Sequence, residues 1–97
     1  MRGASPGVPI LSSTETAKRI EEILRRDFAP AELLVEDQSY QHLGHNSAGG
    51  GGHFYVVIKS ARFNGLAPLA RQRLVIDSVR EMMDREIHAL SMKCMPG

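Results

Sequence analysis

The chain carries a single cysteine, Cys94, in 97 residues, no tryptophan and five other aromatic side chains. One cysteine excludes an intrachain disulfide and a four-cysteine zinc or iron–sulfur site built by this chain alone, and it suits a reducing compartment. No apolar run approaches the roughly 18 residues that a spanning helix needs, and the first ten residues lack the apolar stretch of a secretory signal. A large charge excess is missing too: the net charge is +1 with histidines neutral, so any basic function has to come from local clustering rather than from the total. Also absent are a GxSxG elbow, an HExxH pair and a Walker loop, so the expectation is a binding protein and not an enzyme.

What remains is an ordinary globular composition, 42% hydrophobic and 24% charged, at a length that supports one core. The opening MRGASPGVPI is rich in Gly and Pro without periodicity, and residues 1–11 are read as a flexible tail. Ser12 and Glu15 form a capping box that starts a helix. Ala17, Ile20, Ile23, Leu24 and Phe28 supply its apolar stripe, and Pro30 ends it. Leu33 to Ser39 reads as a first strand. His53 to Ser60 (HFYVVIKS), with aromatic and β-branched residues on both parities, reads as a central strand antiparallel to it.

Between them Tyr40 to Gly52 holds two histidines and four consecutive glycines, a composition of high backbone entropy that makes a loop. Asn64-Gly65 marks a turn and Pro68 opens a short helical turn. Leu69 to Arg85 reads as the longest helix, with Val75, Val79, Met82 and Met83 inward. Ile87 to Lys93 gives a third strand, alternation placing His88, Leu90 and Met92 on one side. The elements predict an α+β, two-layer domain over residues 12–95, ordered α-β-β-α-α-β, with helices on one face of a three-stranded sheet.

Candidate chemistry centres on the four histidines, His42, His45, His53 and His88, because neutral imidazole ligates borderline metals near pH 7. Three of them surround the glycine-rich loop. Taken singly, His53 and His88 read as structural histidines at strand ends, and His42 and His45 as exposed loop residues. Glycines 49–52 permit a phosphate-cradling loop only formally, since a strand and not a helix N-terminus follows them.

The segments VEDQSYQHLGH, GGHFYVVIKSARFNGLAPLARQRLVIDSV and EIHALSMK resemble, in order and spacing, the corresponding blocks of BolA-like proteins. The resemblance covers about Ser12 to Lys93. It implies a KH-like fold of the same α-β-β-α-α-β order, and partnership with a monothiol glutaredoxin of the CGFS type. In such a heterodimer a 2Fe-2S cluster is shared, glutathione supplying one thiolate. The family's carboxy-proximal histidine falls on His88 and its loop ligand on His42, through the SYQH match, with His45 as the competing loop ligand. No cofactor is expected in the isolated protein, and self-pairing is left open. The location implied is intracellular, cytoplasmic or organellar with mitochondria included, with no membrane association. Two features depart from the family pattern: Arg71-Gln72-Arg73 replaces an arginine–histidine–arginine run, and the segment after the third strand is reduced to Cys94–Gly97.

The competing reading is nucleic-acid binding by a transcriptional regulator, through Lys59, Arg62, Arg71 and Arg73. Acidic residues interleave with this basic scatter. Where a KH module carries GxxG, this chain has Gly65-Leu66-Ala67-Pro68, without the second glycine.

Overall fold

The computed structural model describes residues 13–39 and 52–97. The tail 1–11, the Ser12 cap and the loop histidines His42 and His45 lie outside the described residues. Helix α1 (Ser13–Phe28) buries Thr16, Ile20, Leu24 and Phe28, a four-residue spacing that makes one stripe. It ends at Ala29, whose φ of 43° and N–H bond to Arg25 O at 3.1 Å form a left-handed cap before Pro30. Strands β1 (Glu32–Asp37) and β2 (Gly52–Ser60) pair antiparallel with Leu33 opposite Ile58 and Asp37 opposite Phe54, as the sequence predicts.

On β2, Phe54, Val56 and Ile58 are buried, while His53, Tyr55, Val57 and Lys59 take the other face. Period-two alternation therefore gives one covered and one open side. Strand β3 (Ile87–Pro96) pairs parallel to β2, and the sheet order is β1-β2-β3. It runs past the predicted end at Lys93, and Cys94 lies opposite Ile58, packed against the core. Both helices contribute to that core: Ile20, Leu24 and Phe28 meet Val75, Phe54, Ile58 and Phe63 on one side of the sheet. The two-layer α+β prediction holds.

Two predictions are corrected. The long helix Leu69–Arg85 is instead α2 (Pro68–Ser78) followed by a 3-10 turn, Arg80–Met82. A second 3-10 turn, Ala61–Phe63, precedes α2, so one α-helix with a short turn on each side stands where two helices were predicted. The break falls at Val79, with φ −108° and ψ 16°. Val79 and Met82 stay buried through it, because a three- or four-residue spacing fits a 3-10 turn as well as an α-helix.

The second correction concerns β3. Gly52 pairs with Ile87, but His53 pairs with Ala89, a register shift that leaves His88 as an extra residue. This β-bulge switches the parity of the strand. Ile87 is buried and Leu90 and Met92 pack on the core, but His88 is exposed and does not share their side.

Candidate functional site

The bulge matters because of what it faces. His53 opens the open side of β2, and His88 is the residue the bulge displaces; their ring centroids are 5.1 Å apart with planes tilted by 38°. Backbone bonds fix this approach from both directions. Gly52 N–H donates to Glu86 O at 2.9 Å, tying the start of β2 to the turn that leads into β3. Asp84, at φ 66°, donates its N–H to Ile87 O at 2.8 Å and closes that turn. From the β1 side, Gln38 N–H donates to His53 O at 2.8 Å, and His53 N–H donates to Ser39 Oγ at 3.1 Å. Ser39 is held in turn by its own N–H bond to Asp37 Oδ1 at 2.8 Å.

The two ends of the 40–51 segment, which carries His42 and His45, are therefore clamped together beside the histidine pair. Burial opposes ionisation of Asp37, but hydrogen bonds from the Ser13 hydroxyl and from the Ser39 N–H and hydroxyl outweigh it and hold the carboxyl below its usual range. An ionised Asp37 is the acceptor this turn needs. Gly52 has no room for a side chain: a Cβ would come within 2.5 Å of Ser39 Oγ and 2.9 Å of the Phe54 ring.

Sequence reasoning singled out His88 and the loop histidines as ligands and gave His53 a structural role. The structure brings His53 to His88, a juxtaposition legible only with the parallel β2–β3 register in hand. His42 and His45 lie outside the described residues. Among the described residues no three His, Cys, Asp or Glu side chains are grouped to hold a metal. Cys94 is half-buried on the core side of β3, and burial pushes its thiol up, partly offset by the Arg71 guanidinium.

The four basic residues differ in their contacts. Arg71 Nε donates to Leu66 O at 2.8 Å and Nη1 to Cys94 O at 3.1 Å, fastening α2 to β3. Arg62 Nη1 donates to Asp27 O at 2.8 Å while its guanidinium lies 5.5 Å from the centre of the Phe28 ring. Lys59 sits on the open sheet face opposite Glu32, and Arg73 is exposed on α2. Among the described residues no helix is long and apolar enough to cross a membrane.

Comparison with known proteins agrees with this architecture. A family model described as BolA-like protein matches residues 24–96. The chain is 43% identical over 79 residues to the chloroplastic protein BOLA1 of Arabidopsis thaliana, covering 77% of this chain and 49% of that one. It is 41% identical over 75 residues to the DNA-binding transcriptional regulator BolA of Escherichia coli, covering 77% of this chain and 70% of that one. Among solved structures, the BolA domain of SufE1 from Arabidopsis thaliana superposes with a TM-score of 0.74 at 37% identity, covering 89% of this chain and 94% of that domain. The chain spans about half the length of the Arabidopsis BOLA1 relative. On the matched span, the identities and the shared fold, the chain belongs to the BolA-like family.

Proposed function

We propose that this chain is a binding partner of a monothiol glutaredoxin and holds a shared 2Fe-2S cluster through histidine, in iron–sulfur cluster trafficking and iron homeostasis. His88 is one ligand and His42 or His45 the other. The observation that carries this reading is the exposure of His88 beside His53, where the two ends of the histidine-bearing 40–51 segment are clamped. Two imidazole nitrogens on one tetrahedral centre, each about 2.1 Å from the metal, lie about 3.4 Å apart. Rings with centroids 5.1 Å apart are compatible with that span, so His53 joins the loop histidines as a contender for the second position.

The remaining ligands in this reading are thiolates from glutaredoxin and glutathione. Imidazole in place of thiolate lowers the negative charge around such a cluster and raises its reduction potential. Because each partner contributes only part of the ligand set, cluster and heterodimer stabilise one another by mass action. A reducing intracellular compartment belongs to the same proposal.

Co-expression with a monothiol glutaredoxin tests it: the expected product is a coloured heterodimer containing glutathione and iron. A colourless mixture whose components elute separately would overturn the proposal.

A second reading, DNA binding, is favoured by the similarity to the Escherichia coli DNA-binding transcriptional regulator BolA and by the exposed Arg62 and Arg73. It predicts affinity that falls with salt at a log–log slope of about −0.9 per phosphate contacted. Binding that is undetectable or independent of salt ends it.

A further inference from the structure

We infer that the open face of the sheet is a self-association surface, on which a second copy of this chain packs across a two-fold axis running along β2. The helices and the core occupy the other side of the sheet. On the open side Leu34 lies opposite Val57 and Val57 opposite Lys93, so the middle row of the face reads Leu34, Val57, Lys93 from β1 to β3. Leu34 is 53% exposed and Lys93 is exposed. The fold does not need that leucine for its own packing, since its neighbours Leu33 and Val35 pack on the core.

Charge selects a copy of the same face as the occupant. Besides the histidines, the charged side chains in these rows are Glu32 and Glu36 on β1, Lys59 on β2 and Lys93 on β3. Glu32 and Lys59 stand opposite one another in the ladder and offset each other within one copy. Glu36 and Lys93 remain, opposite charges on opposite edges of the sheet, and neither has an ion pair among the described residues. Glu36 accepts a bond from the neutral amide of Gln38 at 3.1 Å, which leaves its charge in place. A uniformly acidic or uniformly basic partner, nucleic acid included, is repelled by one edge wherever the other attracts it.

A half-turn about an axis along β2 exchanges the edges, so that β3 of each copy crosses β1 of the other. Lys93 then lies over Leu34 of the second copy, with its stem on the leucine and its ammonium one pleat from Glu36. The contact repeats on the far side of the axis, as an isologous interface requires, and the two Val57 side chains meet between them. Three strands about 4.8 Å apart over about seven residues offer roughly 350 Å² of face per copy, against about 800 Å² for a stable interface. The dimer is accordingly weak and forms with rising concentration. His53 follows Tyr55 on this face toward the start of β2, so self-association and a partner at the histidine pair use adjoining parts of one surface and compete. Only that competition rests on the cluster reading; the dimer itself does not.

The test is the amide and methyl spectrum of the full chain, without glutaredoxin, followed from about 0.05 to 2 mM. Resonances of Leu34, Val57 and Lys93 are expected to shift with concentration. In a mixture of labelled and unlabelled chains, Overhauser contacts are expected between Leu34 of one copy and Lys93 of the other. Glu36→Lys and Lys93→Glu, both at exposed positions, are each expected to weaken self-association by about tenfold or more, and an equimolar mixture of the two variants to restore it. Shifts independent of concentration, or a mixture of variants that associates no better than either alone, overturn the inference. Overhauser contacts to Leu34 that arise only within one copy overturn it as well. Concentration-dependent shifts confined to the backbone amides of β3 would also overturn it and assign self-association to edge pairing.

Discussion

The rings of His53 and His88 stand 5.1 Å apart because one residue too many lies between Ile87 and Ala89 in the register of β3 against β2. In a strict alternation, His88 would share the side of Leu90 and Met92. The bulge releases it from the ladder and aims it at solvent. The same turn receives the N–H of Gly52 on Glu86 O, so backbone bonds fix the end of the sheet that carries the two imidazoles.

Gly52→Ala tests that mechanical link. Ser39 Oγ could rotate away from the new Cβ only by giving up its bond to His53 N–H, and the buried Phe54 ring has nowhere to move. The variant is expected to lose about 1 to 3 kcal/mol of stability in urea denaturation and to shift the side-chain resonances of both His53 and His88. Unchanged stability with unchanged histidine resonances would show that the clamp does not set the pair.

Much of this architecture is legible in the sequence, and its failures have physical causes. The stripe Ile20, Leu24, Phe28 and the run HFYVVIKS announce α1 and β2 because each places large apolar residues at the period of its element. The end of α2 is not legible: Val75, Val79 and Met82 have a spacing that serves an α-helix and a 3-10 turn equally. The bulge escapes as well, since alternation in IHALSMK assumes one residue per pleat, and only pairing with β2 reveals the extra one. His53 looks structural in the sequence for the same reason, its neighbour being distant along the chain.

Arg71 and Arg73 separate structural from surface roles. Arg71→Ala removes bonds to the carbonyls of Leu66 and Cys94 and is expected to cost about 1 to 3 kcal/mol in thermal or urea unfolding. Arg73→Ala, at an exposed position, is expected to stay within about 0.5 kcal/mol. Equal effects of the two would contradict the fastening of α2 to β3. A loss of DNA binding in an Arg71 variant is accordingly read only beside its stability, and Arg73→Ala is the cleaner probe of nucleic-acid contact.

Asp37 gives a dependence on pH with a definite sign. Its folded-state value is depressed, so its contribution to stability is complete above the unfolded value of about 3.9 and is lost as pH falls through the folded value. The stability difference between the native chain and Asp37→Asn is expected to be constant above about pH 5 and to narrow below about pH 4. A difference that widens in acid would reverse the sign and reject the hydrogen-bonded carboxylate.

Ala29 carries strain that a single change relieves. A left-handed conformation costs a residue with a Cβ about 1 to 2 kcal/mol, and glycine removes that cost while adding freedom to the unfolded chain. Ala29→Gly is expected to raise stability by about 0.5 to 1 kcal/mol, read from the urea midpoint at unchanged slope. A lowered midpoint would contradict the φ of 43°.

The measurement closest to the central claim is pulsed EPR of the reduced cluster-bearing complex with glutaredoxin, prepared with nitrogen-15 histidine in this chain alone. Imidazole ligation from this chain predicts nitrogen-15 hyperfine coupling at the cluster, with one coupling lost and the remaining spectrum altered in His88→Ala. A native complex without nitrogen-15 coupling, or a His88→Ala complex with an identical spectrum, would contradict ligation by His88.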